Sequence, residues 1–341
     1  MAELRLEQLS KIFGNQTVVQ KLDLTIPQGS FTAILGQSGC GKTTTLRIIA
    51  GLEQPSTGCL FLGSRLLANK IISLPPEQRN MGMVFQSYAL WPHMTVEENV
   101  GYPLRLRQIS SNIYKKRVME ALEAVELLAY SGRSPHELSG GQRQRVALAR
   151  CLISNPEVIL LDEPLSNLDR YLRTTMEKIF RELHHRTGTT FVYVTHDQAE
   201  AMALASHIAV MYKGTLVQWG IPQQIYEHPN NVWIAKFIGK GCILSLSIPG
   251  SEQFLDCTML HQGFTQDRRV TYHNVLIRPE HVHLKNKGLP AKVESCIYQG
   301  ERYLLELRLV DGQLLTAFHH SSVQPQQLVC IQLMQGWRLP K

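Results

Sequence analysis

The apolar positions fall into two regimes along the chain. In the first, short solid apolar runs alternate with stretches of helical spacing. Residues 31–35, Phe-Thr-Ala-Ile-Leu, make one such run and close on Gly36; a helical stretch over 43–50 follows and stops at Gly51. Residues 158–161 and 191–194 make two more, each followed by polar residues and then a helical pattern. Strands apolar at consecutive positions are buried on both faces, so this part predicts an α/β architecture around a mostly parallel sheet.

Between Ser87 and Asn155 the rhythm changes. Val118, Leu122, Val125 and Leu128 recur at spacings of three and four, which predicts a helix over 113–130. A helical insertion over about 88–155 is therefore expected between sheet strands. The second regime begins past Phe237. Residues 275–277, 303–310 and 328–334 are strand-like and are joined by Pro-Gly, Lys-Gly and Asp-Gly turns. They predict a separate small all-β domain, giving domains at 1–239 and 240–341.

The length of 341 residues agrees with two domains. No apolar run approaches the ~18 residues that span a bilayer. Met1-Ala2-Glu3-Leu4-Arg5 has no apolar segment, so a secretory signal is not expected. The seven cysteines are odd in number and contain no CxxC, which argues against a zinc ribbon or a disulfide framework and points to a reducing, cytoplasmic setting. The 35 Lys+Arg against 28 Asp+Glu give +7. That excess fits nucleic acid, an anionic membrane surface or anionic small ligands, and the motifs must choose among them.

Gly36-Gln37-Ser38-Gly39-Cys40-Gly41-Lys42-Thr43-Thr44 lies between the first strand and its helix and satisfies G-x-x-x-x-G-K-[ST]. Glycines let backbone N–H groups turn around phosphate oxygens, and the helix N-terminus adds its positive dipole end. Lys42 is expected on the β- and γ-phosphates, and Thr43 offers a hydroxyl to Mg²⁺. The segment predicts a nucleoside triphosphate site and says nothing of its purpose.

Asp162 and Glu163 end the apolar run at 158–161. Asp162 is placed to hold Mg²⁺ through its water shell, and Glu163 to polarise an attacking water as general base. His196 ends the run at 191–194, at the same carboxyl edge where open α/β sheets bind ligands. Alone, each would be unremarkable at a sheet edge; the phosphate loop gives them a common purpose.

Leu138-Ser139-Gly140-Gly141-Gln142-Arg143 reads as a Ser N-cap, a glycine nest and a helix opening, a second candidate anion site. If the insertion holds it away from the phosphate loop, a two-fold dimer can still bring the two together, each subunit completing the other's site.

These motifs together resemble the ATP-binding subunit of ABC transporters, whose signature is LSGGQ. The resemblance covers the whole chain and implies a P-loop NTPase core with a helical subdomain, followed by an OB-like domain like that of the maltose, polyamine and ferric-iron importer ATPases. It implies that Phe13 stacks on adenine and that residues 36–44 bind phosphates and Mg²⁺. It implies that Gln86 senses Mg²⁺ and the attacking water and links to the permease. Ser139, Gly140, Gly141 and Gln142 would contact ATP held by the other subunit. Asp169 belongs to the D-loop, Glu163 is the catalytic base, and His196 positions the γ-phosphate. Implied cofactors are ATP and Mg²⁺. Implied partners are a second copy of the chain, an integral-membrane permease gripped near Trp91 and Met94, and indirectly a solute-binding protein outside the membrane. The implied place is the cytoplasmic face of the inner membrane.

The Phe237-Ile-Gly-Lys-Gly241 segment, the Arg278-Pro-Glu280 segment and the compact tail look most like ferric-iron importer ATPases; sugar, phosphonate, polyamine and sulfate importers share most other features. A soluble ABC ATPase acting on DNA or ribosomes is a rival from another class, but one signature, one phosphate loop and no heptads speak against it. A non-enzymatic nucleotide-binding regulator is opposed by Glu163 and His196. Arg143, Arg145 and Arg150 are expected beside ATP phosphates and the rest of the excess under an anionic cytoplasmic leaflet, so no nucleic acid is needed to account for the charge; for the β domain, a regulatory dimer contact, a small anion bound near Arg278 and an inert stabilising appendage stay open.

Overall fold

The structure, a computed structural model, describes residues 2–264 and 271–340. The chain divides into two compact units, Met1–Pro222 and Gln223–Lys341.

The first unit is built on a six-stranded sheet in the order Thr215–Gly220, His207–Tyr212, Phe31–Gly36, Thr190–Thr195, Val158–Asp162, Met81–Val84. All neighbours are parallel except the edge pair Thr215–Gly220 and His207–Tyr212. Consecutive apolar residues send alternate side chains to opposite cores. Ile159, Leu161, Phe191 and Tyr193 face one; Val158, Leu160, Val192 and Val194 face the other. That two-sided burial is why these strands carry no polar alternation.

One face is covered by helices Val96–Leu106, Ser111–Ala124, Gly140–Leu152 and Arg170–Thr187. The expected 113–130 helix is shorter: Ser111–Ala124 is followed, after a break at Glu126 (φ 57°), by a 3₁₀ turn at Leu128–Tyr130. Pro103 sits inside Val96–Leu106, whose start is fixed by a Thr95–Glu98 capping box.

The other face carries helix Lys42–Ala50 and a second, antiparallel sheet in the order Gln16–Ile26, Leu4–Phe13, Thr57–Leu62, Arg65–Asn69. The sequence reading did not separate this sheet from the parallel one. Its signal is the alternation Leu4, Leu6 and Leu22, Leu24, Ile26, all buried. Arg79, fully buried, stitches the two layers by donating to the carbonyls of Ile48, Ile49 and Leu74. It thereby caps the negative end of the phosphate-loop helix.

The second unit packs two antiparallel sheets over one core. One has the order Cys242–Ser247, Tyr272–Ile277, Gln335–Arg338, Phe254–Asp256; the other Val282–Lys285, Leu328–Leu333, Leu289–Tyr298, Tyr303–Leu309, Leu314–His319. The short helices Pro222–Glu227 and Val232–Phe237 adjoin it. Arg278, 3% exposed, donates to the carbonyls of Tyr226, Ile238 and Lys240 and lies 4.0 Å over the Tyr226 ring. Of the readings open for the β domain, a small anion held by Arg278 is corrected: its donors are taken by carbonyls, and it anchors the helical segment to the β unit.

Candidate active site

The phosphate loop is held open by sterics. A Cβ at Gly36 would lie 2.4 Å from the Met211 carbonyl and 2.6 Å from Cys40 Sγ. At Gly41 (φ +100°) it would lie 2.6 Å from the Val18 carbonyl. Both positions need glycine. Residues 37–39 are exposed, while Lys42 is buried, with Nζ donating to the carbonyls of Gly36 (2.9 Å) and Gln37 (3.0 Å). The ammonium thus lies folded back inside its own loop. Burial pushes the Cys40 thiol up, with Lys42 opposing, so Cys40 serves as a small protonated packing group under the loop.

Thr43 Oγ1 donates to Asp162 Oδ1 at 3.1 Å, joining the start of the helix to the end of strand Val158–Asp162, two places along the sheet from Phe31–Gly36. Burial raises the Asp162 carboxyl above its ordinary range, the Thr43 hydrogen bond opposes this, and the neighbouring Glu163 charge adds to it.

Glu163 has φ 44°, in the left-handed region, and its N–H donates to the Val194 carbonyl at 3.0 Å. This turn aims its carboxylate sideways along the sheet edge, where Oε2 lies 3.0 Å from His196 Nδ1. Ser166 Oγ donates to the Glu163 carbonyl at 2.9 Å and accepts from Gln86 Nε2 at 3.3 Å. The structure thus gathers Thr43 with Asp162, and Gln86, Ser166, Glu163 and His196 in one chain of contacts at the carboxyl ends of three neighbouring strands.

Behind His196 lies a network that sequence reasoning missed. Glu200, 3% exposed, accepts from Tyr193 Oη and Thr195 Oγ1, both at 2.7 Å. Arg173 donates to Asp197 at 2.7 Å and lies 3.6 Å from Glu200. Asp197 in turn caps helix Gln198–Leu204. These bonds fix the strand end from which His196 projects. A buried acid within a short helix was the signal available.

The second candidate anion segment opens helix Gly140–Leu152. Ser139 and Gln142 form a capping box at the start of Gly140–Leu152: Ser139 N–H donates to Gln142 Oε1 at 2.8 Å, and Gln142 N–H to Ser139 Oγ at 3.3 Å. A Cβ at Gly140 would meet Leu168 at 3.5 Å, and one at Gly141 would meet Leu172 at 3.4 Å. Asp169 caps Arg170–Thr187 through Leu172 N–H at 2.9 Å. Phe13 ends its strand with an exposed ring under the Lys11 ammonium at 4.7 Å.

Two of the three arginines expected beside phosphates, Arg145 and Arg150, need correction. Arg145 donates to the Val125 carbonyl and pairs with Glu126. Arg150 donates to the carbonyls of Tyr88 (2.9 Å) and Ala89 (2.8 Å) and lies 4.8 Å over Trp91. Both are engaged by backbone within the helical region.

Two family models match the chain: "ABC transporter" over residues 19–166 and "TOBE domain" over 275–329. The trehalose/maltose import ATP-binding protein MalK of Thermococcus litoralis is 47% identical over 77% of this chain and 69% of its own length. The chain belongs to the ABC transporter family. The Fe(3+) ions import ATP-binding protein FbpC of Escherichia coli O157:H7 is 40% identical over 94% of this chain and 92% of that protein. The spermidine/putrescine import ATP-binding protein PotA of Aliivibrio fischeri is 40% identical over 88% and 83%. Among solved structures, cbiO1 from Clostridium perfringens, part of the ABC transporter complex cbiONQ, superposes with a TM-score of 0.60 at 26% identity, covering 65% of this chain and 90% of that one. This ABC transporter ATPase accordingly has the nucleotide-binding fold and all-β C-terminal domain of import ATP-binding subunits. Among the described residues no helix is long and apolar enough to cross a membrane.

Proposed function

We propose that this ATPase works as a homodimer on the cytoplasmic face of a membrane permease and energises import of ferric iron delivered by a solute-binding protein. The hydrolytic reading is carried by one observation: Thr43–Asp162 and Glu163–His196 meet at one sheet edge, beside the phosphate loop.

ATP lies in the loop with N–H groups of residues 36–44 around its phosphates, and Lys42 exchanges its carbonyl partners for phosphate oxygens. The Thr43 hydroxyl, the Asp162 carboxylate and the Gln86 amide oxygen are hard oxygen donors suited to Mg²⁺ and would hold it there. Mg²⁺, when bound, offsets charge on the phosphates. Glu163 takes a proton from the attacking water onto its carboxylate as the water oxygen bonds to the γ-phosphorus and the bond to ADP breaks. His196 orients the γ-phosphate, and Phe13 seats the adenine. Ser139, Gly140, Gly141 and Gln142 meet the γ-phosphate of ATP on the partner subunit, with Asp169 beside them.

A groove of about 510 Å³ next to the Gln86 loop, lined by Phe85, Trp91, Tyr102, Pro103 and Leu106, suits an apolar helix end of the permease. Ferric iron is favoured by relatives named for it that align over 92–94% of their own length, such as those of Escherichia coli O157:H7 and Vibrio cholerae. Polyamine is the second reading, favoured by relatives of similar identity. Uptake of labelled ferric iron and of spermidine, compared between cells with and without Glu163→Gln, decides: loss of iron uptake alone supports the reading, and loss of spermidine uptake alone overturns it.

A further inference from the structure

The five-stranded sheet of the C-terminal unit has Val282–Lys285 at one edge and Leu314–His319 at the other. The two are not paired as sheet neighbours, yet the sheet curls until they approach each other. A cavity of about 400 Å³ lies in this unclosed seam, within the size range of small-ligand sites, which often occupy the mouths of β-barrels.

Its chemistry is cationic. Lys285 lines it from one edge and Phe318 and His320 from the other. Arg302, in the turn before Tyr303–Leu309, lies over the Phe318 ring with Cζ 3.3 Å from its centroid. A guanidinium seated flat on a ring keeps its N–H edge available in plane, the geometry that grips a carboxylate or phosphate. By contrast, exposed Arg308 is neutralised by Glu294 at 2.7 Å and Arg5 by Glu3 and Glu7. Among the described residues neither Lys285 nor Arg302 has an acid partner within 4.0 Å. Glu280, the acid in the lining, accepts from Tyr226 Oη at 2.8 Å. The histidines do not form a metal site: among the described residues no group of three ligands is placed to hold one.

We propose that this seam binds a compact phosphate- or carboxylate-bearing molecule with two or more negative charges. Arg302 grips one anionic group edge-on, Lys285 meets a second, and Phe318 with Leu284 holds the apolar body. No group of the nucleotide machinery lines the cavity, so the site stands independently of the ATPase reading.

The test is calorimetric titration of citrate and inorganic pyrophosphate into the full chain carrying Lys42→Ala, which removes the phosphate-loop ammonium as a competing anion site. One-to-one binding of either anion is expected. It should weaken at least about ten-fold in a Lys285→Gln/Arg302→Gln double variant. It should also weaken as salt rises toward about 1 M. Both side chains are exposed, so the variant keeps the fold. Phe318→Leu, which removes the flat seat alone, should weaken binding several-fold. Absence of binding by both anions, or equal affinity in the double variant, overturns the proposal. So does preferential binding of a neutral extended peptide, which would make the seam a strand-addition site.

Discussion

Glu163 Oε2 and His196 Nδ1 lie 3.0 Å apart, across the ends of two neighbouring parallel strands. The pairing depends on the left-handed turn at Glu163, which carries the carboxylate out of line with its strand. In this arrangement Glu163, proposed as the base, and His196, proposed to position the γ-phosphate, hold each other at one sheet edge. Glu163→Gln keeps the size and the hydrogen-bonding capacity toward His196 but removes the proton acceptor. Steady-state hydrolysis should fall by about 10²–10⁴-fold while ATP affinity stays near wild type. Turnover close to wild type would remove Glu163 as the base.

The signature segment tests the shared-site dimer. Ser139→Arg replaces a cap worth about 1 kcal/mol, so the chain should still fold. The long cation, placed where the proposed dimer brings the partner's γ-phosphate to this segment, should block closure. In a Glu163→Gln background, ATP should shift light scattering toward a dimer, and adding Ser139→Arg should abolish that shift. A dimer that persists would sink the model in which each subunit completes the other's site.

Arg150 tests the loop after Gln86. Tyr88 and Ala89 both have positive φ, at 63° and 47°, and neither is glycine. Such residues each cost about 1–3 kcal/mol unless their surroundings hold them. Here one guanidinium bonds both carbonyls while seated on Trp91. Arg150→Ala should lower the urea midpoint by the equivalent of about 2–4 kcal/mol and open the loop to proteolysis at residues 88–91. Arg150→Lys should recover only part of this, because a compact ammonium has no planar guanidinium to stack on Trp91 while separate nitrogens reach the two carbonyls.

The sequence was most legible where one residue type has one physical use. Glycines at 36 and 41 are forced by neighbouring carbonyls, and the solid apolar runs at 158–161 and 191–194 sit in a sheet covered on both faces. Legibility failed where long side chains choose among partners. Arg145, Arg150 and Arg278 look alike in sequence to phosphate-binding arginines, yet each closes a backbone carbonyl inside the fold. Spacing does not encode which carbonyls lack partners, so those contacts emerge only from packing. The antiparallel N-terminal sheet was readable in its alternation but was overshadowed by the stronger signal of the parallel strands. The Gln86–Ser166–Glu163 relay spans 80 residues of sequence, and no local pattern announces it.

Asp162 gives the last prediction, one about stability against function. Its carboxyl is raised above its unfolded value, with burial as the largest cause. A raised acid binds its proton more tightly when folded, so ionisation at neutral pH costs the folded state stability. That cost is present above the folded pKa and disappears as pH falls through it toward the unfolded value. Asp162→Asn removes the charge and keeps a hydrogen-bond acceptor for Thr43 Oγ1. Without nucleotide the variant should therefore melt at or above the wild-type temperature at pH 7, and the difference should shrink as pH falls into the carboxylate range. Its Mg²⁺-dependent ATP binding should nonetheless be lost, because the hard anionic donor is gone. Thermal unfolding across pH, with and without Mg-ATP, checks both halves. A variant that melts well below wild type at pH 7 would show that the Thr43–Asp162 bond outweighs the burial of the charge.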